Sequence, residues 1–207
     1  MISTPSFIYN ALEWITRFAY LNLLWILFSL VGGMIFGIFP ATVAMFAISR
    51  EWLTGNTDKP LLKSFWEHYR KDFIKSNILG LFIAVIVFFV VMDIYYIQAN
   101  NNELLTWTYI PLFAFMLLFT MFLFYLFPAF VHYDLKVLQV IKNSFLFMLI
   151  SPVNSLLIIL CLVPLFFLMR AFPALAFIFG GSSYAFITMW LSLHVFKKLN
   201  KKSANVL

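Results

Sequence analysis

Long uncharged apolar runs alternate along this chain with short polar gaps, and its positive charge gathers in only some of those gaps. All of its Lys and Arg residues except Arg17 and Arg170 fall within residues 50–75, 136–142 and 197–202. The gaps at 98–108 and 170–173 hold Arg170 alone. Basic residues are retained on the cytoplasmic side of a membrane. The alternation therefore constrains fold class, orientation and the number of crossings together. Hydrophobic residues make up 64% of the 207 positions and charged residues 11%. A soluble domain is about 45–50% apolar and about 25% charged. This chain lacks the polar groups to cover a water-exposed surface, so lipid is the solvent for most of it.

A membrane-crossing helix needs about 20 apolar residues. Four runs meet that length: 77–97, 107–130, 145–169 and 172–196. They are continuous rather than alternating in hydrophobicity, which excludes β-strands. The predicted fold is an all-α, polytopic helical bundle in a single membrane domain.

The N-terminal region is less regular. Between Trp14 and Trp52 only Arg17, Arg50 and Glu51 are charged. One unbroken helix over this stretch would run about 58 Å, against a hydrocarbon core of about 30 Å. The break is expected at 32–40, where Gly32, Gly33 and Gly37 precede Pro40. Proline suits the first turn of a helix and disfavours helical geometry at the residue before it. The spacing predicts an amphipathic helix over 1–17, then a helical hairpin over 18–53 with a short returning arm. That makes six spans with both termini cytoplasmic. The alternative is five spans, with a kinked first helix and an external N-terminus. The charge rule separates the two by Arg17 alone. A cleaved signal peptide is not expected, because no basic residue precedes Arg17 and no small-residue cleavage site follows a short apolar core. The gap at 98–106 is read as an external loop, and 197–207 as a basic cytoplasmic tail.

Residues 60–76 form the most structured polar stretch. Leu61, Leu62, Phe65, Trp66, Tyr69 and Phe73 share one helical face, and Lys63, Glu67, Arg70 and Lys71 lie on the other. This predicts an amphipathic helix on the lipid headgroups, or a docking surface for a partner built on Phe65, Trp66, Tyr69, Arg70 and Phe73. Ser29, Gly33, Gly37 and Ala41 recur every four residues, and Gly180 and Gly181 form a second small-residue patch. Small residues let helices approach closely in lipid, so these are helix-packing candidates.

Ionisable groups inside a span mark function by default. Asp93, His132, Asp134 and His194 all fall near span ends and are read as boundary markers. The lone Cys161 permits no disulfide within the chain. No phosphate-binding loop, zinc-protease motif, nucleophile elbow or paired intramembrane carboxylates occur. No catalytic residue, cofactor or metal is therefore expected, and no nucleic-acid partner.

Several segments resemble the YesL family of small bacterial membrane proteins. They are Leu21-Asn22-Leu23-Leu24-Trp25, FGIFPATVAMFAISREWLTG at 36–55, the aromatic–basic stretch at 65–77, Tyr125-Leu126-Phe127-Pro128, and Lys142-Asn143-Ser144-Phe145. Members of that family tend to be encoded beside sugar ABC importers and glycan-degrading enzymes, mostly in Gram-positive bacteria. The resemblance implies an accessory subunit in the cell membrane, partnered with importer permease subunits and with the ATPase on the cytoplasmic face. The chain lacks the E-A-A…G signature with which permeases seat their ATPases, so it resembles a companion of a permease. Two other readings stand beside this one: a self-contained small-solute transporter or channel, and a membrane scaffold for envelope or signalling proteins.

Overall fold

A computed structural model describes residues 7–100 and 107–204. Among them the regular elements are all helices: α1 (Phe7–Val31), α2 (Ile38–Leu53), α3 (Leu61–Lys71), α4 (Phe73–Ala99), α5 (Tyr109–His132), α6 (Val137–Ile150), α7 (Pro152–Ala171) and α8 (Pro173–Ala204). Five of these, α1, α4, α5, α7 and α8, are long and apolar enough to cross a bilayer. The chain is an all-helical, multi-pass membrane bundle.

The expected boundary between an N-terminal helix and a first span at residue 18 is absent, because α1 runs unbroken through it. Arg17 is accommodated one turn after Glu13, whose carboxylate it meets at 2.5 Å. It also donates to Thr57 O at 3.0 Å. The helix ends where the glycines allow it. Gly33 and Met34 take positive φ values of 74° and 57°. Met34 N–H reaches back to Ser29 O and Gly33 N–H to Leu30 O, both at 2.9 Å. That is the Schellman arrangement, in which a left-handed residue lets the next amides satisfy the last helical carbonyls. The chain then turns back into α2, with Pro40 in its first turn.

At 16 residues, α2 is about 24 Å long, short of the roughly 30 Å hydrocarbon core. The hairpin is thus present, while its returning arm falls short of a full span. This short arm is nevertheless the centre of the bundle. It packs against α1, α3, α4, α5 and α8. Pro40, Ala41, Val43 through Ser49 and Trp52 are all buried. A helix apolar on all sides has to be enclosed on all sides, and Ala41, Ala44 and Ala47 let neighbours come close.

Pairwise contacts set the helix directions. Trp25 Nε1 donates to Thr42 Oγ1 at 3.0 Å, and Trp14 meets Trp52 at 5.6 Å, so α1 and α2 are antiparallel. Phe46 stacks on Phe127 at 5.5 Å and Arg50 donates to Val131 O at 2.7 Å, so α2 and α5 run the same way. Asn22 donates to Phe177 O and Trp14 meets Phe186, which makes α1 antiparallel to α8. The start of α1, the ends of α2 and α5 and the end of α8 therefore share one end of the bundle. Arg50, Lys71, Lys75 and Lys197 lie there, and it is called the basic end below.

The run at 145–169 is not one helix. It is split between α6 and α7 at Ser151, which adopts φ −127° and ψ 58°. Pro152 has no N–H and disfavours helical geometry at the residue before it. The fully buried Tyr125 seals this break. Its hydroxyl lies 3.3 Å from Ser151 O and 3.1 Å from Ser155 Oγ. The last helix continues past residue 196 to Ala204, so the basic tail begins as helix. Positions 205–207 of that tail, residues 1–6 of the expected N-terminal helix and positions 101–106 of the expected external loop lie outside the described residues.

Packing is uneven along the bundle. The buried side chains of α5 run from Phe122 to Phe130, in the half nearer the basic end. The buried residues of α4 are Ser76, Leu79 and Gly80, with Ile97 alone near its other end. In α7 only Ser155 and Ile158 are buried among the described residues.

Tyr125→Phe should destabilise the bundle by about 0.5–1.5 kcal/mol, the net worth of a lost hydrogen bond, because Ser155 N–H and Oγ still bond Ser151 O. Thermal unfolding of the detergent-solubilised chain reads this directly, and an unchanged midpoint would contradict the role given to the hydroxyl.

Candidate functional site

The amphipathic stretch folds as α3, and Asp72 separates it from α4. Its apolar face is turned into the protein. Phe65 is 0% exposed and Tyr69 4%. Their rings meet Phe28 of α1 at 5.0 and 5.2 Å, and Tyr69 donates its hydroxyl hydrogen to Phe28 O at 3.2 Å. Phe73 opens α4 and sets its ring edge-on to Tyr69 at 5.5 Å. The expected docking surface is corrected accordingly, since Phe65 and Tyr69 are covered by the chain itself and Phe73 is partly buried against Tyr69. Trp66 remains 46% exposed, stacked on Tyr69. Together with the exposed Leu62, Lys63, Glu67 and Arg70 it forms the outward edge of α3.

A polar lock holds α3 in place. The Glu51 carboxylate of α2 accepts hydrogen bonds from Lys59 Nζ at 2.8 Å and from Ser64 Oγ at 3.1 Å. It also lies 3.3 Å from His68 Nε2. Burial alone would raise this carboxyl. The hydrogen bonds from Lys59 and Ser64, with the charge and hydrogen bond of His68, hold it below its ordinary value of 4.5. One carboxylate thus ties together α2, the connection after it and two positions of α3.

The small-residue candidates divide by position. A Cβ on Gly37 would collide with the backbone carbonyl oxygens of Ser29 and Phe28, and one on Gly32 with Gly37 and the Tyr69 hydroxyl. These two glycines let the arms of the hairpin close. Ala41 is buried in α2, and Ser29 donates to Trp25 O within α1. Gly33 is exposed in the turn with open space around it. The four-residue stripe is therefore not one packing ridge, because the turn divides it. Gly181 faces Asn22 Oδ1 and Met45, at the crossing of α1, α2 and α8. Gly180 faces Met169 of α7 at ordinary contact distance, with 3.7 Å from its ideal Cβ to the Met169 sulfur.

Asn22, which is buried, was not singled out as a site by the sequence reading. It donates to Phe177 O at 2.7 Å and accepts from Ser182 N–H at 3.1 Å, pinning α1 to α8. Its only signal in the sequence is an amide inside an apolar run. Glu51 had a clearer signal, as the sole acidic residue between Glu13 and Asp58.

At the end opposite the basic residues, α4, α5 and α7 separate and leave grooves beside α5, of which the two larger flank it. One, of about 560 Å³, lies against α4 and is lined by Ile86, Phe89, Asp93, Pro111, Leu112 and Phe115. The other, of about 700 Å³, lies against α7 and includes Phe113, Met116, Thr120, Ile159, Val163 and Phe166. Asp93 sits at the far end of α4, as expected of a boundary residue. His132 and Asp134 meet at the basic end in a third, polar cleft.

The family model described as "Protein of unknown function, DUF624" matches residues 18–94, a stretch holding most of α1, all of α2 and α3, and most of α4. Three proteins of Bacillus subtilis (strain 168) are similar over nearly the whole chain. Uncharacterized protein YteU is 38% identical over 192 residues, which is 91% of this chain and 85% of that protein. Uncharacterized protein YesL is 34% identical over 91% of this chain and 89% of its own length. Uncharacterized protein YesV is 32% identical over 92% of each. No solved structure matches the chain.

Two outcomes follow from this geometry. The stabilisation from Glu51 is complete above its ordinary pKa and is lost as the pH falls through the lowered folded value. The gap in melting temperature between the native chain and Glu51→Gln should therefore be widest near neutral pH and close on acidification. A gap independent of pH would contradict the lock. Gly37→Ala should cost about 1–3 kcal/mol of stability through overpacking against backbone, whereas Gly180→Ala should be tolerated. Equal melting shifts for the two would contradict the packing described.

Proposed function

The chain belongs to the DUF624 family, and on that premise we propose that it is a non-catalytic accessory subunit that packs sideways against the membrane domains of a carbohydrate ABC importer. It stabilises or regulates that assembly. The observation that carries this reading is the contrast between the two ends of the bundle. The basic end is closed around α2, while the other end leaves α5 standing between two apolar grooves. Lipid tails are as apolar as these grooves, so burial alone gives no drive to fill them. A partner helix that fits them gains dispersion contacts and packing.

The interior supports association over transport. Its buried hydroxyls are engaged by backbone carbonyls: Ser49 by Met45 O, Ser144 by Val140 O, Thr188 by Tyr184 O and Ser192 by Phe124 O. The first three bonds close within their own helices and the fourth joins α8 to α5, so none of these hydroxyls is left over to line a water-filled route. The resemblance to the YesL family supports a sugar importer as the partner. The positive-inside rule supports a cytoplasmic basic end. Both chain termini are then cytoplasmic in the bacterial cell membrane, and the exposed Trp66–Arg70 edge of α3 faces the side on which an importer's ATPase works.

Phe113, 69% exposed, borders the groove against α7. A photoreactive phenylalanine derivative at this position, activated in native membranes, should crosslink to a permease subunit of a sugar importer, and that subunit should co-purify with the chain. Crosslinks to lipid alone, with recovery of the chain free of any transporter subunit, would sink the proposal.

A further inference from the structure

The third cleft differs in character from the grooves beside α5. It is small, about 220 Å³, and lies at the basic end where α4 begins and α5 ends. Its walls bring together Arg50 of α2, Lys71 of α3, Lys75 in the first turn of α4 and His132 at the end of α5. Asp72 and Asp134 are the carboxylates beside them. His68 also borders the cleft, but its Nε2 is engaged by Glu51.

Much of the hydrogen-bonding capacity here is left over. Arg50 gives one Nη1 hydrogen to Val131 O at 2.7 Å, and a guanidinium carries five N–H donors. Lys75 and Asp134 stand 3.6 Å apart and are both well exposed, longer than the roughly 2.7–2.9 Å of a strong charge-assisted bond. His132 Nδ1 is buried with no hydrogen-bond partner among the described residues, while its ring is held against Phe196 and Tyr133. Arg50 has a structural role, since it satisfies a carbonyl in the last turn of α5. That role does not account for Lys71 and Lys75 converging on the same cleft, or for the unpartnered imidazole nitrogen beside them.

The position narrows the chemistry. The ends of α4 and α5 mark the edge of the hydrocarbon core, the depth at which lipid phosphates lie. A phosphate offers several acceptor oxygens and a delocalised negative charge, which suits the fork of an arginine together with lysine ammonium groups. We infer that this cleft binds a phosphate-bearing group, supplied by the headgroup of an anionic lipid or by a soluble phosphate. The inference does not depend on the importer partnership.

The full-length chain, reconstituted in nanodiscs of phosphatidylcholine with phosphatidylglycerol, can be released for native mass spectrometry. It should retain phosphatidylglycerol, and Lys71→Gln/Lys75→Gln should lower that retention about tenfold. Lys63→Gln/Lys198→Gln removes as much charge outside the cleft and should leave retention unchanged. If the first double variant fails to fold, Lys75→Arg against Lys75→Gln gives the same contrast, with retention kept in the arginine variant. Titration with inorganic phosphate separates the two sources. Displacement of the lipid identifies a site open to soluble phosphate, and continued lipid retention identifies the headgroup. Equal retention in the native chain and the cleft variant would overturn the site. Equal losses in the two double variants would overturn it too, because a diffuse basic surface would then be enough.

Discussion

Everything in this bundle depends on enclosing α2. The helix is too short to cross a bilayer and too apolar to lie in water, and its side chains from Val43 to Ser49 are all buried. In lipid, contact between apolar surfaces is not driven by water. A buried helix is therefore held by close packing and by hydrogen bonds. Ala41, Ala44 and Ala47 supply the close approach. The ties are made at its two ends, by Trp25 to Thr42 and by Glu51 to Lys59, Ser64 and His68. Arg50, which donates to Val131 O, links the same helix to α5. The family match over residues 18–94 falls on this centre and the helices that first wrap it.

Enclosing α2 uses up the packing surfaces near the basic end and leaves the other end open. There α4, α5 and α7 present large apolar side chains with grooves between them. The basic end has a different chemistry, with partly engaged cations and an imidazole nitrogen that has no hydrogen-bond partner among the described residues. Apolar surface and partly engaged charge are thus kept at opposite ends of one small fold.

Much of this was legible in the sequence because its causes are local. The Gly32-Gly33 pair and Pro40 mark the hairpin, since a left-handed turn and a proline in a first helical turn are backbone requirements. The apolar run lengths announced the long helices. Other features depend on residues far away in the chain. The period of α3 shows that it has an apolar face, but not that Phe28 covers it. Pro152 is compatible with either a kink or an end, and the Tyr125 hydroxyl, 26 positions earlier, holds the break. The four-residue stripe from Ser29 to Ala41 is a true spacing, yet Gly33 lies in a turn and the spacing loses its meaning there. Asn22 could be noticed as an amide among apolar residues, but its bond to the α8 backbone could not.

The central claim is that α1 and α2 form a returning hairpin around which the rest of the chain is built, so that the start of α1 and the end of α8 share one face. Single cysteines at Asn10, Asn100 and Lys198, in a background with Cys161 replaced by alanine, test it most directly. With a membrane-impermeant thiol reagent on intact cells, only the cysteine at position 100 should react. Those at positions 10 and 198 should react only in inverted vesicles. Labelling of position 10 from outside, with position 198 still protected, would place the two ends on opposite faces and contradict the hairpin.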